Sequence, residues 1–208
     1  MNIPVAYEDD YLVVLDKPSG LLTVPTPKNE SRTLESILND DLKARGVGYR
    51  LYPCHRLDRE TSGLIIFAKG QSTRDKMVDA FRQRMVHKVY TAFVQGLPHP
   101  ESGEIRKNIE GKEAITKYKV VAKKRLFAIL EVTPLTGRTN QLRIHFKSIG
   151  HPIVGESKFA FRKDFALKFK RLCLHAAGLT FKHPVTGKPL RLSAPLPQDM
   201  GKFLESHD

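Results

Sequence analysis

Tryptophan is absent from this 208-residue chain, and cysteine occurs only twice. Cys54 and Cys173 form no Cys-x-x-Cys pair. That removes the disulfide-scaffold class and leaves a reduced, cytoplasmic setting as the default. Cys54 reads as a buried small hydrophobe, not a nucleophile. Long apolar runs are missing too. None reaches the ~18 residues that a membrane helix needs, and no signal-peptide pattern or amphipathic anchor is visible. There is no glycine-rich dinucleotide loop, P-loop or His-Glu-x-x-His pattern, and the eight histidines lack metal-ligand spacing. No cofactor and no metal are therefore expected. Without repeats, low-complexity tracts or a second compositional regime, residues 1–208 read as a single domain, with monomer as the default state. The scarcest property is negative charge. Asp and Glu number 22 against 35 Lys and Arg, giving a net charge of +13 and a pI near 9.8. Such an excess favours a polyanionic partner, because each neutralised phosphate releases counterions. Charge alone is equally consistent with a solvated basic surface.

The apolar content, 40%, is ordinary and sufficient for a core. Residues 5–8 and 11–15 read as short strands that end at the Lys17-Pro18-Ser19-Gly20 turn. Residues 25–32, rich in Pro, Asn and charge, read as a mobile loop. Leu34, Ile37, Leu38 and Leu42 fall at helical spacing, with Ser31 or Thr33 as cap and Gly46 and Gly48 beyond the end. The run 64–68 is short, apolar and β-branched, as a buried strand requires. Ser72 is expected to cap a second helix, with Met77, Val78, Phe81 and Met85 on its apolar face. Strands are expected over 88–95, 115–121 and 126–132, the last two forming a hairpin. Leu142, Phe146 and Ile149 place a helix over 139–149, and strands over 178–182 and 189–193 flank a turn. Tyr11 and Phe127 read as core residues, not base-stacking platforms. Clustered strands with few βαβ units predict an α+β fold, with a central mixed, largely antiparallel sheet flanked by helices and loops.

Three segments carry candidate chemistry: His55-Arg56-Leu57-Asp58-Arg59-Glu60-Thr61-Ser62-Gly63-Leu64, Lys88-Val89-Tyr90-Thr91-Ala92, and Gly137-Arg138-Thr139-Asn140-Gln141-Leu142-Arg143-Ile144-His145. The first sets one carboxylate among cations and hydroxyls, just before a buried strand. Neighbouring cations hold a carboxylate ionised, ready to act as nucleophile or base. An isolated Asp between two arginines is more often a loop ion pair. In the third segment, Arg138 and Arg143 stand near a helix start, where an anion is favoured. A basic helix face explains them equally well.

The joint pattern goes further. His55-Arg56-Leu57-Asp58-Arg59-Glu60-Thr61-Ser62-Gly63 resembles the HRLDxxTSG motif of the RluA family of pseudouridine synthases. The other two segments resemble that family's KxYxAxVxG and GRTxQxRxH motifs. Lys17-Pro18-Ser19-Gly20-Leu21, His151-Pro152-Ile153, Leu174-His175-Ala176 and Ala194-Pro195-Leu196-Pro197 match in order, so the resemblance spans nearly the whole chain. It implies an isomerase that converts uridines of structured RNA, ribosomal or transfer, to pseudouridine. The resemblance is to the catalytic domain, which is expected to stand alone, with no S4-type RNA-binding domain. Asp58 is implied as the essential carboxylate and Tyr90 as the residue packing on the target base. Arg143 is implied as the partner of Asp58. Arg56 would fill the gap left by the flipped base, and Leu142 would line the uracil pocket. Thr61, Arg138 and Gln141 are expected at the RNA. Asn140, Glu156 and Phe159 depart from the family's usual His, Asp and Tyr. Two rivals remain: a catalytically silent RNA-binding protein on the same fold, and a hydrolase pairing Asp58 with His55 or His145.

Overall fold

The computed structural model describes residues 3–26, 32–159 and 167–207. In chain order the elements are β1 (Val5–Glu8), β2 (Leu12–Lys17), α1 (Leu34–Ala44), β3 (Tyr52–Pro53), β4 (Ser62–Ala68), α2 (Gln71–Arg82), β5 (His87–Gln95), β6 (Ser102–Arg106), β7 (Ile115–Lys123), β8 (Phe127–Pro134), α3 (Gln141–Ser148), β9 (Leu174–Lys182), β10 (Pro189–Ser193) and α4 (Gln198–Glu205). The fold is α+β, with a mixed, largely antiparallel strand arrangement. The chain divides into two compact units, Met1–His87 with Gly178–Ala194, and Lys88–Ala177 with Pro195–Asp208.

In the first unit the strand order is β1-β2-β4-β9, with β3 paired to β4 and β10 to β9. Every residue of β4 is buried. A strand covered on both faces reads as a continuous apolar run, which is why Leu64–Ala68 shows no alternation. Leu64, Ile66 and Ala68 join Leu12, Val14, Met77 and Phe181 in one cluster. The helix α1 begins at a capping box: the Thr33 hydroxyl accepts from the Ser36 amide, and the Ser36 hydroxyl accepts from the Thr33 amide. The other cap candidate, Ser31, and most of the loop expected over 25–32 lie outside the described residues. The helix α2 differs from expectation. Its N-cap is Gly70, not Ser72, which sits in the first turn. Arg84 in the left-handed region at φ 59 follows its C-terminus, and Met85 beyond it is exposed rather than on the apolar face. Tyr11 is a second correction. It is 38% exposed, with its ring edge against His183.

In the second unit the order is β9-β5-β8-β7-β6. The hairpin expected over 115–132 forms as β7 and β8, with Phe127 fully in the core. Cross-strand partners Tyr118, Val132 and Tyr90 run in one row over β7, β8 and β5. The helix α3 packs Leu142 and Phe146 onto this sheet, and Phe146 meets Tyr118 edge to face. From α4, Phe203 closes an aromatic group with Phe93, Phe127 and Phe169. Burial of one such ring contributes roughly 1.5–3 kcal/mol. Both cysteines are buried and free, and burial pushes each thiol up to about 12.

Candidate active site

Asp58 lies half-buried in the turn that leads into β4. The turn closes where the Thr61 amide donates to the Asp58 carbonyl at 3.1 Å. The segment beginning at Lys17 holds it from outside. The Lys17 ammonium, 0% exposed, donates to the carbonyls of Leu21 at 2.7 Å, Pro18 at 3.0 Å and Arg59 at 3.3 Å. Ser19 donates to the Glu60 carbonyl at 2.7 Å, and the Gly20 amide donates to the Arg59 carbonyl at 2.8 Å. The Thr23 hydroxyl donates to the Leu57 carbonyl and accepts from the Leu57 amide. The peptides on either side of Asp58 are thus fixed by groups from residues 17–23. The Lys-Pro-Ser-Gly-Leu motif acquires a physical role from these bonds, because it sets the backbone from which the carboxylate projects. Arg56 and Arg59 are exposed, and Thr61 is buried inside the turn.

In the second unit, Tyr90 is half-buried on β5 and packs on the hydrophobic cluster. The approach to α3 is organised by Gln141, which is 4% exposed. Its carboxamide oxygen accepts from the Thr136 hydroxyl at 2.7 Å and the Arg138 amide at 3.0 Å. Its nitrogen donates to the Ile115 carbonyl and the Thr116 hydroxyl, each at 3.0 Å. Both donors and both acceptors are used, so Gln141 has no capacity left for a base. In this way it ties the loop before α3 to β7. The relay continues to His145. Its Nε2 faces the Lys107 carbonyl at 3.0 Å and so carries the proton, while Nδ1 accepts from the Thr116 hydroxyl at 2.9 Å. Burial lowers the His145 pKa, which keeps the ring neutral. Arg138 donates from Nε to the Glu113 carbonyl at 3.0 Å.

Arg143 is 4% exposed and meets Glu156 in a two-point pair: Nε to Oε2 at 2.7 Å and Nη2 to Oε1 at 2.8 Å. Nη1 donates to the Asn140 side-chain oxygen at 3.2 Å, and the Phe159 ring lies 5.3 Å from the guanidinium carbon. Asn140 sits at φ 54, a left-handed position that Asn tolerates better than most residues. This conformation delays the helix, so α3 starts at Gln141 rather than at 139. Glu156 Oε1 also accepts from the amides of Ser157, Lys158 and Phe159. Burial works to raise its pKa, but the Arg143 pair and those amides outweigh it, and the carboxyl is held below its ordinary value. The turn before it requires glycine, because a Cβ at Gly155 would stand 1.8 Å from the Arg171 carbonyl oxygen. Glu156 is the residue that sequence reasoning left without a role, although its place after His151-Pro152-Ile153-Val154-Gly155 marked it.

Two histidines considered as hydrolytic bases are otherwise engaged. His55 Nε2 accepts from the Ile66 amide at 3.1 Å, and His145 has both nitrogens bonded as described. Among the described residues no cluster of three metal-ligating side chains occurs, and no helix is long and apolar enough to cross a membrane.

Comparison with known proteins gives the class to which these residues belong. Residues 11–148 match the family model described as RNA pseudouridylate synthase, and the chain belongs to that family. It is 38% identical to the dual-specificity RNA pseudouridine synthase RluA of Vibrio cholerae, over 88% of this chain and 78% of that one. It is also 38% identical to ribosomal large subunit pseudouridine synthase C of Rickettsia felis, over 92% and 67%. Among solved structures, human RNA pseudouridylate synthase domain containing 4 matches with a TM-score of 0.81 and 25% identity, covering 97% of this chain and 91% of that one.

Proposed function

We propose that this chain isomerises particular uridines of structured RNA, in large-subunit ribosomal RNA, transfer RNA or both, with Asp58 as the catalytic carboxylate. The single observation that carries the reading is the turn of Asp58, whose peptides are held by Lys17, Ser19, Gly20 and Thr23. A carboxylate on a fixed backbone is pre-aimed at an incoming sugar. The relatives named dual-specificity and ribosomal large subunit synthases support the substrate classes.

The reaction breaks the C1′–N1 bond, turns the uracil, and joins C1′ to C5. N1 gains a proton and C5 loses one, so nothing is oxidised and no group is imported. No cofactor is required, and we assign the work to a cytoplasmic monomer. Asp58 either attacks C1′ or assists a glycal intermediate. Tyr90 packs on the base, Arg143 steadies the carboxylate of Asp58, and Leu142 borders the uracil. Arg56, exposed beside the turn, fills the stack after the uridine flips out, and Arg138 meets phosphate.

The test is Asp58→Asn, assayed by tritium release from C5-labelled uridine in RNA. The variant is expected to fold and bind RNA while losing turnover by at least about three orders of magnitude. Turnover within tenfold of the parent protein would remove Asp58 from the reaction.

A further inference from the structure

A cavity of about 420 Å³ lies wholly within the second unit, between the end of β6, the loop at 98–100 and the C-terminal end of α3. His151, from the motif His151-Pro152-Ile153, forms part of its wall and has no part in the chemistry above. Its lining combines apolar and polar residues. Ile105 and Tyr118 are its buried members, and the Tyr118 hydroxyl is already spent on the Pro100 carbonyl at 3.1 Å. Two groups of the lining are acceptors. His151 Nδ1 lies 2.8 Å from the Gln95 carbonyl, which only a donor can approach, so the proton sits there and Nε2 accepts. The Ser148 hydroxyl donates to the His145 carbonyl at 2.8 Å, which leaves its oxygen as an acceptor. The C-terminal end of the α3 dipole adds partial negative charge. The exposed Arg106, which pairs with Glu104, the exposed Lys107 and the exposed His99 also belong to the lining.

We propose that this cavity holds a second, unstacked nucleotide of the RNA substrate, and that it selects a base carrying an exocyclic amine over uracil. Ile105 and Tyr118 take the base, His151 Nε2 and Ser148 Oγ accept from its amine, and Lys107 meets its phosphate. Position supports the pairing of sites. Tyr118 of the lining and Tyr90 lie in one cross-strand row with Val132 between them. That is two strand spacings, ~10 Å, a separation that a flanking nucleotide of the same strand spans. The proposal rests on RNA being the substrate and on Tyr90 marking the target uridine, but not on Asp58 chemistry.

The experiment titrates the intact protein with AMP, CMP, UMP and inorganic phosphate and follows the histidine ring protons by NMR. AMP and CMP are expected to shift His151, with UMP at least about fivefold weaker, the low end of the effect of losing one held base. Equal shifts with UMP, or shifts from phosphate alone, overturn the base selection. No His151 shift with any nucleotide overturns the site. Because His151 also holds a main-chain carbonyl, the RNA arm uses the exposed residues, in a His99→Ala/Lys107→Glu variant. It should raise KM for structured RNA about fivefold, leave kcat unchanged, and reduce the log–log salt slope by about one. An unchanged KM overturns the proposal. Mononucleotide binding by a protein that makes no pseudouridine would instead retain this site and discard the catalytic reading.

Discussion

Glu156→Gln removes one charge from the Arg143 clamp while keeping almost every atom in place. The amide oxygen can replace only one of the two carboxylate oxygens. If it takes the position of Oε1, it still serves the amides of Ser157, Lys158 and Phe159 and Arg143 Nη2, but the amide nitrogen then faces Arg143 Nε donor to donor. Turned the other way, three backbone donors face a fourth. Neither choice satisfies the site, and Arg143 at 4% exposure keeps its charge with its Glu156 partner lost. Breaking a buried pair in this way costs about 3–5 kcal/mol. The lower figure applies, because one side of the carboxamide remains bonded. For a chain of this size about 3 kcal/mol lowers Tm by roughly 6–12 °C. The linkage has a definite sign. The Glu156 carboxyl is held below its ordinary 4.5, so its contribution is complete above that pH and is lost as pH falls through the folded-state value. The difference between parent and variant should therefore be full from pH 7 to 5 and shrink below. Urea unfolding followed by far-ultraviolet circular dichroism measures it, since the chain has no tryptophan. A loss under about 1 kcal/mol at pH 7, or a difference that widens on acidification, refutes the clamp.

Two further outcomes are expected. Arg143→Ala should slow single-turnover chemistry on structured and pre-opened RNA alike, whereas the defect of Arg56→Ala should shrink on the pre-opened RNA; equal rescue of both would collapse the division of roles. Lys17→Met strips the donor from three carbonyls and should cost about 3 kcal/mol and on the order of a hundredfold in kcat through a displaced Asp58. Faster hydrogen exchange at the Gly20 and Thr61 amides should accompany it, and unchanged exchange with full activity would count against the scaffold reading of residues 17–23.

Elements marked by apolar runs, helical spacing or flanking turn residues were legible in the sequence. The residues of β1, β4 and β10, the hairpin β7–β8 and the Thr33 cap of α1 all follow from local composition. Three elements were missed for one shared reason. The strand β6 has a single buried apolar residue, Ile105, and β3 has two residues; both take their conformation from partners distant in sequence. The helix α4 offers only Met200 and Phe203 as buried residues, too few to show a period. Caps set by backbone rather than by side chain also escaped, as with Gly70 and Asn140. In the site, motif spacing placed Asp58, Tyr90 and Arg143 on a turn, a strand and a helix. It could not show the internal tie made by Gln141, because its four bonds reach residues that only folding brings together. Glu156 was hidden for the complementary reason. A lone acid after glycine looks solvated until its five bonds are counted in space.

The division of the chain bears on how it is made. Each compact unit is assembled from two separated stretches, and the later stretch of the first unit, Gly178–Ala194, is bracketed by parts of the second. A ribosome that has released residues 1–87 has delivered β1 to β4 without the β9–β10 hairpin that completes their sheet. The second unit then waits for Phe203, which follows that hairpin in the chain. Both cores thus stay incomplete until the stretch from β9 to α4 has been made. Half-made chains carry open strand edges and unfilled aromatic pockets until then, the period in which a nascent protein most needs shielding from its neighbours.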